Sequence, residues 1–232
     1  MKHMCITDMT IRQAGKAAGY TLSFREKIEL AKLLDRLGVS AIELHAIENP
    51  KIDSLLIKSV ASAVKTSAVS VPVALTQQSV ETVWNALKEA KHPRIQVPAP
   101  VSAVQMEYLA GKKPAAMLEA ISQTVAAAKA VCEDVEFLAD DATRADPAFL
   151  YEALSAAIAA GATGVTVCDA AGSLLPDAFG SPHKAAGRVR QLCAGHLRER
   201  AAGKKHPLRR RLFGCFVDGG RVRGERDRGR RG

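Results

Sequence analysis

Short apolar runs alternate with longer stretches of helical period along the first 180 residues of the chain. The runs are Cys5–Ile11, Ala41–His45, Val69–Leu75, Arg94–Val101, Val135–Asp140 and Gly164–Asp169. They start at residues 5, 41, 69, 94, 135 and 164, the spacing of strand–helix units that feed a parallel sheet. The segments between them carry helix punctuation. Ser23-Phe24-Arg25-Glu26 reads as a capping box, in which the Ser hydroxyl and the Glu carboxylate each satisfy an orphan backbone N–H. Phe24, Ile28, Ala31 and Leu34 then fall on one helical face with Leu30, Leu33 and Leu37 beside them, and Gly38 stands where a left-handed terminator is wanted. Asp146, Pro147 and Gly161 mark the N-cap, first position and end of a helix over 147–160. A 3.6-residue period predicts further helices over about 52–65, 79–91 and 116–133.

Six β/α units therefore precede residue 180. That number points to an incomplete (β/α)8 barrel, whose full form needs about 250 residues. A doubly wound open sheet is the alternative. Neither Gly15-Lys16-Ala17-Ala18-Gly19 nor any other stretch makes a GxGxxG, so dinucleotide binding has no positive support. A seventh strand is due near residue 194, but Cys193–Arg200 does not read as one, and Leu212–Val217 is the one short apolar run that follows.

Charge divides the chain at the same place. Residues 1–180 carry 17 Lys+Arg against 20 Asp+Glu, net −3, whereas residues 181–232 carry 16 against 4, net +12. The first part is expected to be a partial catalytic barrel and the second a disordered or frame-shifted Arg/Gly-rich tail. Hydrophobic content of 47% with 4% aromatics suits parallel strands covered by helices. Five scattered cysteines without a CxxC suit buried thiols in a reducing compartment. The N-terminus lacks an apolar signal region, and the best candidate span, Ser155–Gly172, is broken by Gly161, Gly164 and Asp169. The expectation is a soluble cytoplasmic protein with no membrane partner.

In a β/α barrel, reactive groups stand at the C-terminal ends of the strands. Those ends hold Asp8, Thr10, Arg12 and Gln13; Glu43 and His45; Arg94 and Gln96; Glu136, Asp140, Asp141 and Arg144; and Thr166, Cys168 and Asp169. Carboxylates, amides and guanidiniums at one rim suit a small anionic ligand. His45 at a rim and Cys168 at a strand end are read first as packed residues, since no partner base for the thiol is visible in the sequence.

The same residues resemble a known family. Asp8-x-Thr10-Ile11-Arg12, Gly38–Glu43, Pro93-Arg94-Ile95, Met106-Glu107-Tyr108, Asp134–Phe137, Asp141–Pro147, Ala160–Thr163 and Asp169–Gly172 follow, in order, the motifs of the aldolase-type barrels that include 2-isopropylmalate synthase, homocitrate synthase, citramalate synthase and hydroxymethylglutaryl-CoA lyase. The resemblance covers about residues 4–180 and is nearest the synthases. It implies an acyltransferase that condenses acetyl-CoA with a 2-oxo acid, assisted by a divalent metal (Mg, Mn or Zn) acting as Lewis acid. It implies catalytic roles for Arg12 and Glu43 and a substrate contact for Arg144; Thr166 and Gln96, on the strands that end at the same rim, are expected as further substrate contacts. Gln13 stands where the family has a metal-binding carboxylate and is the candidate metal ligand; its amide oxygen can ligate a hard cation but brings no charge. Gln96 replaces a histidine and Ala170 a threonine, and the chain contains no His-x-His, the pair that supplies the family's other metal ligands.

The expectation is thus an acyltransferase lineage impaired in this chain. A non-catalytic relative that binds a small anionic ligand, and a lyase of the same family, are the alternatives. The basic tail fits a nucleic-acid arm, a disordered extension or a reading-frame change. The coincident loss of barrel register and rise in arginine favours the frame change, and only Phe213 and Phe216 interleave the basic residues, which argues against nucleic acid. Two open sheet edges would invite homo-oligomer formation.

Overall fold

The computed structural model describes residues 5–14, 21–172 and 174, with the backbone of 212–216. Seven parallel strands form one curled sheet: β1 Thr7–Asp8, β2 Ala41–Glu43, β3 Ala68–Pro72, β4 Pro93–Pro100, β5 Asp134–Asp140, β6 Gly164–Asp169 and β7 Leu212–Phe216. Their order across the sheet is their order in the chain. A doubly wound sheet reverses direction at its switch point; this one winds one way only, as a barrel does. Among the described residues the sheet is open between β1 and β7 and helices follow β1 to β5, so the fold is an incomplete (β/α)8 barrel. The apolar run of the tail, which the sequence reading left outside the sheet, pairs in parallel with β6 from Val165↔Leu212 to Asp169↔Phe216. The rest of the tail, and the Gly15–Gly19 stretch, lie outside the described residues.

The helices are α1 Thr10–Gln13, α2 Phe24–Leu37, α3 Pro50–Ala63, α4 Gln77–Leu87, α5 Ala103–Gln105, α6 Pro114–Val131 and α7 Pro147–Ala160, with a π turn over Met106–Ala110 after α5. The capping box of α2 forms as read, with Glu26 N–H donating to Ser23 Oγ at 3.3 Å and Ser23 N–H to Glu26 Oε2 at 2.7 Å. Gly38 closes that helix at φ 81°. Gly161 closes α7 at φ 114°, and a Cβ there would also meet Lys129 Cγ on α6 at 2.8 Å. The expected helix over 79–91 ends at Leu87 instead. The expected first strand, Cys5–Ile11, is a strand only at Thr7–Asp8. The Asp8 carboxylate accepts from Thr10 N–H at 2.9 Å and from Thr10 Oγ at 3.1 Å, which turns the chain into α1.

Alternation along the strands separates two faces. Ile42, Val69, Val71, Ile95, Val97, Val135, Phe137, Val165 and Val167 pack outward against the helices in one core with Leu56, Ile57, Val83, Leu87, Ile121 and Leu154. On α2 the buried stripe is narrower than its sequence suggests: Ala31 and Leu34 are buried, while Leu33 and Leu37 are exposed. The inward face is polar. Glu43, Ser70, Arg94, Gln96, Glu136 and Thr166 are all buried there, where barrels usually pack branched apolar residues.

Candidate active site

The upper, C-terminal end of the sheet gathers most of the residues singled out from the sequence. The α1 turn brings Arg12 beside β2, and its Nη1 donates to Glu43 Oε2 at 2.7 Å. The other carboxylate oxygen of Glu43 accepts from Gln96 Nε2 at 2.8 Å. The same amide nitrogen donates to Glu136 Oε2 at 3.2 Å. Glu136 also accepts from Thr166 Oγ at 2.7 Å and lies 3.7 Å from Arg94 Nη1. Arg94 continues to Asp134, with Nε donating at 3.0 Å. One polar chain therefore crosses from α1 through β2, β4 and β5 to β6. Its charges run Arg12, Glu43, Glu136, Arg94, with the Gln96 amide between the two carboxylates, so that each carboxylate faces one guanidinium, as burial requires.

Arg12, Glu43, Gln96 and Thr166 are thus brought together. Thr166 and Gln96 lie within the barrel, where they hold Glu136, while Arg12 is partly exposed at the mouth. Arg144 stands apart on the 3-10 turn after β5. Its Nε donates to both oxygens of Asp141 at 2.8 and 2.9 Å, with Nη2 2.6 Å away. Hydrogen bonding to that carboxylate raises the pKa of Arg144. Asp141 is fully buried, accepts from Ser102 Oγ at 2.5 Å and takes a left-handed φ of 57°, a conformation that aspartate tolerates better than most residues. Thr143 Oγ donates to Asp169 at 2.6 Å, which ties the next pair of loops. Gln13 is half-buried on α1 beside Arg12. His45 is drawn to Asp53, with Nε2 to Oδ1 at 3.8 Å, and takes no part in the Arg12 chain.

Four residues of this region were not assigned roles from the sequence: Glu136, Arg94, Ser70 and Asp140. The available signal was parity, because Glu136 and Asp140 share the inward face of β5 with Leu138 in an otherwise apolar strand. Asp140 is half-buried at the mouth. Burial pushes its carboxyl above the usual range; the Arg12 charge and a hydrogen bond from the Cys168 thiol oppose that rise, and Asp141 adds to it. Cys168 is accordingly a buried thiol with a carboxylate partner.

The donor set can be tested against the divalent metal implied by the resemblance. Among the described residues, no three His, Cys, Asp or Glu side chains group to hold a metal ion. Gln13 offers a neutral oxygen, and both oxygens of Glu43 are already bound by Arg12 and Gln96. The described residues do not fit such a metal. No helix among them is long and apolar enough to cross a membrane.

A one-way parallel β/α barrel with a charged mouth defines a class of enzyme scaffold. The chain belongs to the HMGL-like family, which it matches over residues 3–193. It is 34% identical over 176 residues to the 2-isopropylmalate synthase of Halalkalibacterium halodurans, an alignment covering 76% of this chain and 34% of that one. It is 38% identical over 179 residues to the 2-isopropylmalate synthase of Thermosynechococcus vestitus, covering 76% and 34%. It is 35% identical over 184 residues to 2-isopropylmalate synthase 2, chloroplastic, of Arabidopsis thaliana, covering 75% and 29%. The chain spans about a third of the length of the curated relatives it matches. Its fold is shared with the HMG-CoA lyase of Brucella melitensis, at TM-score 0.64 and 18% identity over 84% of this chain and 69% of that one. Hydroxymethylglutaryl-CoA lyase of Pseudomonas aeruginosa gives TM-score 0.60 and 16% identity over 90% and 66%.

Proposed function

We propose that this chain binds a 2-oxo acid at the mouth of its partial barrel, within a lineage of acyltransferases that use acetyl-CoA, and that its own turnover is impaired. The observation that carries the reading is Arg12, held by Glu43 at 2.7 Å at the family's arginine position. A 2-oxo acid presents a carboxylate beside a carbonyl, and a guanidinium fork anchored through one N–H can offer its remaining donors to both. In condensation, the same charge would stabilise the oxyanion that develops on the keto carbon's oxygen. Asp140 stands in the field of Arg12 with its carboxyl raised by burial, which suits it to take and return a proton at the methyl group of a thioester.

The sequence identities favour the synthase over the lyase direction, because the lyases share the fold alone. Impairment is supported by the neutral Gln13, by the engagement of Glu43 and by the absence of His-x-His in this sequence. A cytoplasmic location and self-association through the open sheet edges complete the proposal.

The test pairs calorimetric binding of 2-oxoisovalerate, pyruvate and 2-oxoglutarate with a free-thiol assay in the presence of acetyl-CoA. One of these acids is expected to bind, with affinity lowered about 10- to 100-fold in Arg12→Ala, as for loss of a hydrogen bond to a charged group. Thiol release is expected to stay at the blank. Failure of all three acids to bind would refute the site. Thiol release that depends on added Mg, Mn or Zn would refute the impairment.

A further inference from the structure

We infer that Gln96 is a positioning residue: its amide, held between Glu43 and Glu136, fixes the Glu43 carboxylate and through it the direction of the Arg12 guanidinium. The inference rests on the reading of Arg12 as the anion-binding group. It assigns Gln96 an action through Glu43 instead of a contact with the ligand.

The geometry leaves this amide little choice. Gln96 is fully buried, and its Nε2 donates to Glu43 Oε1 at 2.8 Å and to Glu136 Oε2 at 3.2 Å. To reach Glu43 on β2 from β4, the side chain must pass over β3. Of the inward residues of β3, two flank this passage, Ser70 and Pro72, and the register sets Pro72 beside Gln96 and Ser70 beside Glu43. Both are short, which opens the passage. Serving two acceptors turns the amide oxygen away from them, and Gln96 Oε1 is buried without a hydrogen-bond partner. A buried acceptor left in that state is unfavourable, so the amide's orientation is set by the two carboxylates.

Residue chemistry at position 96 is equally constrained. A glutamate would place a third carboxylate against two others, and a lysine would upset a chain in which Arg12 balances Glu43 and Arg94 balances Glu136. A primary amide carries two N–H donors at a fixed angle and no charge, so it bridges two carboxylates without altering that balance. Glu43 is then held from both ends, by Gln96 at Oε1 and by Arg12 at Oε2. Without the amide, Glu43 could rotate, and the guanidinium at the mouth would rotate with it.

The experiment uses Gln96→Met, similar in length but without donors, alone and combined with Arg12→Ala. Arg12 side-chain ¹⁵N–¹H resonances report its immobilisation, and calorimetry with 2-oxoisovalerate reports affinity. Gln96→Met is expected to convert restrained Arg12 signals into averaged, rapidly exchanging ones and to weaken binding about tenfold, the scale of one lost charge-assisted hydrogen bond. In the Arg12→Ala background it should add no further loss. Restrained Arg12 signals in a folded Gln96→Met protein would overturn the inference. So would additive losses in the double variant, which would place Gln96 on the ligand. Should Gln96→Met fail to fold, Gln96→Asn keeps the amide but is too short to span both carboxylates; it should loosen Arg12, and an unchanged Arg12 there counts against the inference. If the unsubstituted protein binds none of the acids, the proposed function fails, while the Arg12 resonances still decide this inference.

Discussion

At the lower end of the sheet, the Asp35 carboxylate accepts from Lys65 N–H at 2.9 Å, Thr66 N–H at 3.0 Å, Thr66 Oγ at 2.6 Å and Ser67 N–H at 2.8 Å. At the upper end, Asp140 is held by one thiol within the field of one guanidinium. The two aspartates respond to burial in opposite ways. Burial alone would raise the pKa of Asp35, but its hydrogen bonds outweigh that and hold the carboxyl well below the usual range. For Asp140, burial prevails and the pKa rises. At the lower end Asp35 is fixed by backbone donors and so closes a loop. The upper end leaves a carboxyl underprovided, which costs stability and yields a group able to exchange a proton.

Three substitutions sharpen or break this contrast. The largest effect is expected at Arg94, which joins the two ends. Its side chain is 2% exposed, and it meets Asp134 at 3.0 Å and Glu136 at 3.7 Å. Nη2 lies 3.0 Å from Asp134 yet makes no aligned hydrogen bond; the aligned donor is Nε. Replacing one partner of a buried charge pair strands the other, so Arg94→Met should cost about 3–5 kcal/mol in urea unfolding. A loss below about 1 kcal/mol would mean that the interior chain is no structural tie.

Asp35→Ala comes next. It removes the acceptor for three backbone N–H groups and should cost about 1–3 kcal/mol at neutral pH. A carboxyl with a depressed folded pKa contributes stability above its unfolded pKa and loses it as pH falls through the folded value. The gap between wild type and variant should therefore shrink below pH of about 4. A gap independent of pH would remove the loop-closing role of the charge.

Asp140→Asn should have the smallest effect, and of opposite sign. A raised folded pKa gives stability that is present below the unfolded value and lost as pH rises through the folded one. A neutral amide escapes that loss, so Tm of the variant should exceed wild type above pH of about 4, increasingly so toward neutrality. A lower Tm at pH 7 would show that the Arg12 and Cys168 contacts outweigh burial, and that the mouth is held like the lower end.

The sequence by itself determined the first six strands with the helices between them, the ends of α2 and α7, and the presence of Arg12 and Glu43 at one rim. Those signals are local: a cap reaches three or four residues, and strand alternation needs only its own segment. The folded sheet decided the rest. One-way strand order excluded the doubly wound alternative, and Asp8 captured Thr10 to cut β1 short. Gln96 reaches Glu43 across 53 residues of chain, and Glu136 receives Thr166 across 30. Separations of that size leave no periodic trace in the sequence. Whether a buried charge finds its partner depends on register between strands, and that is fixed only when the whole sheet assembles.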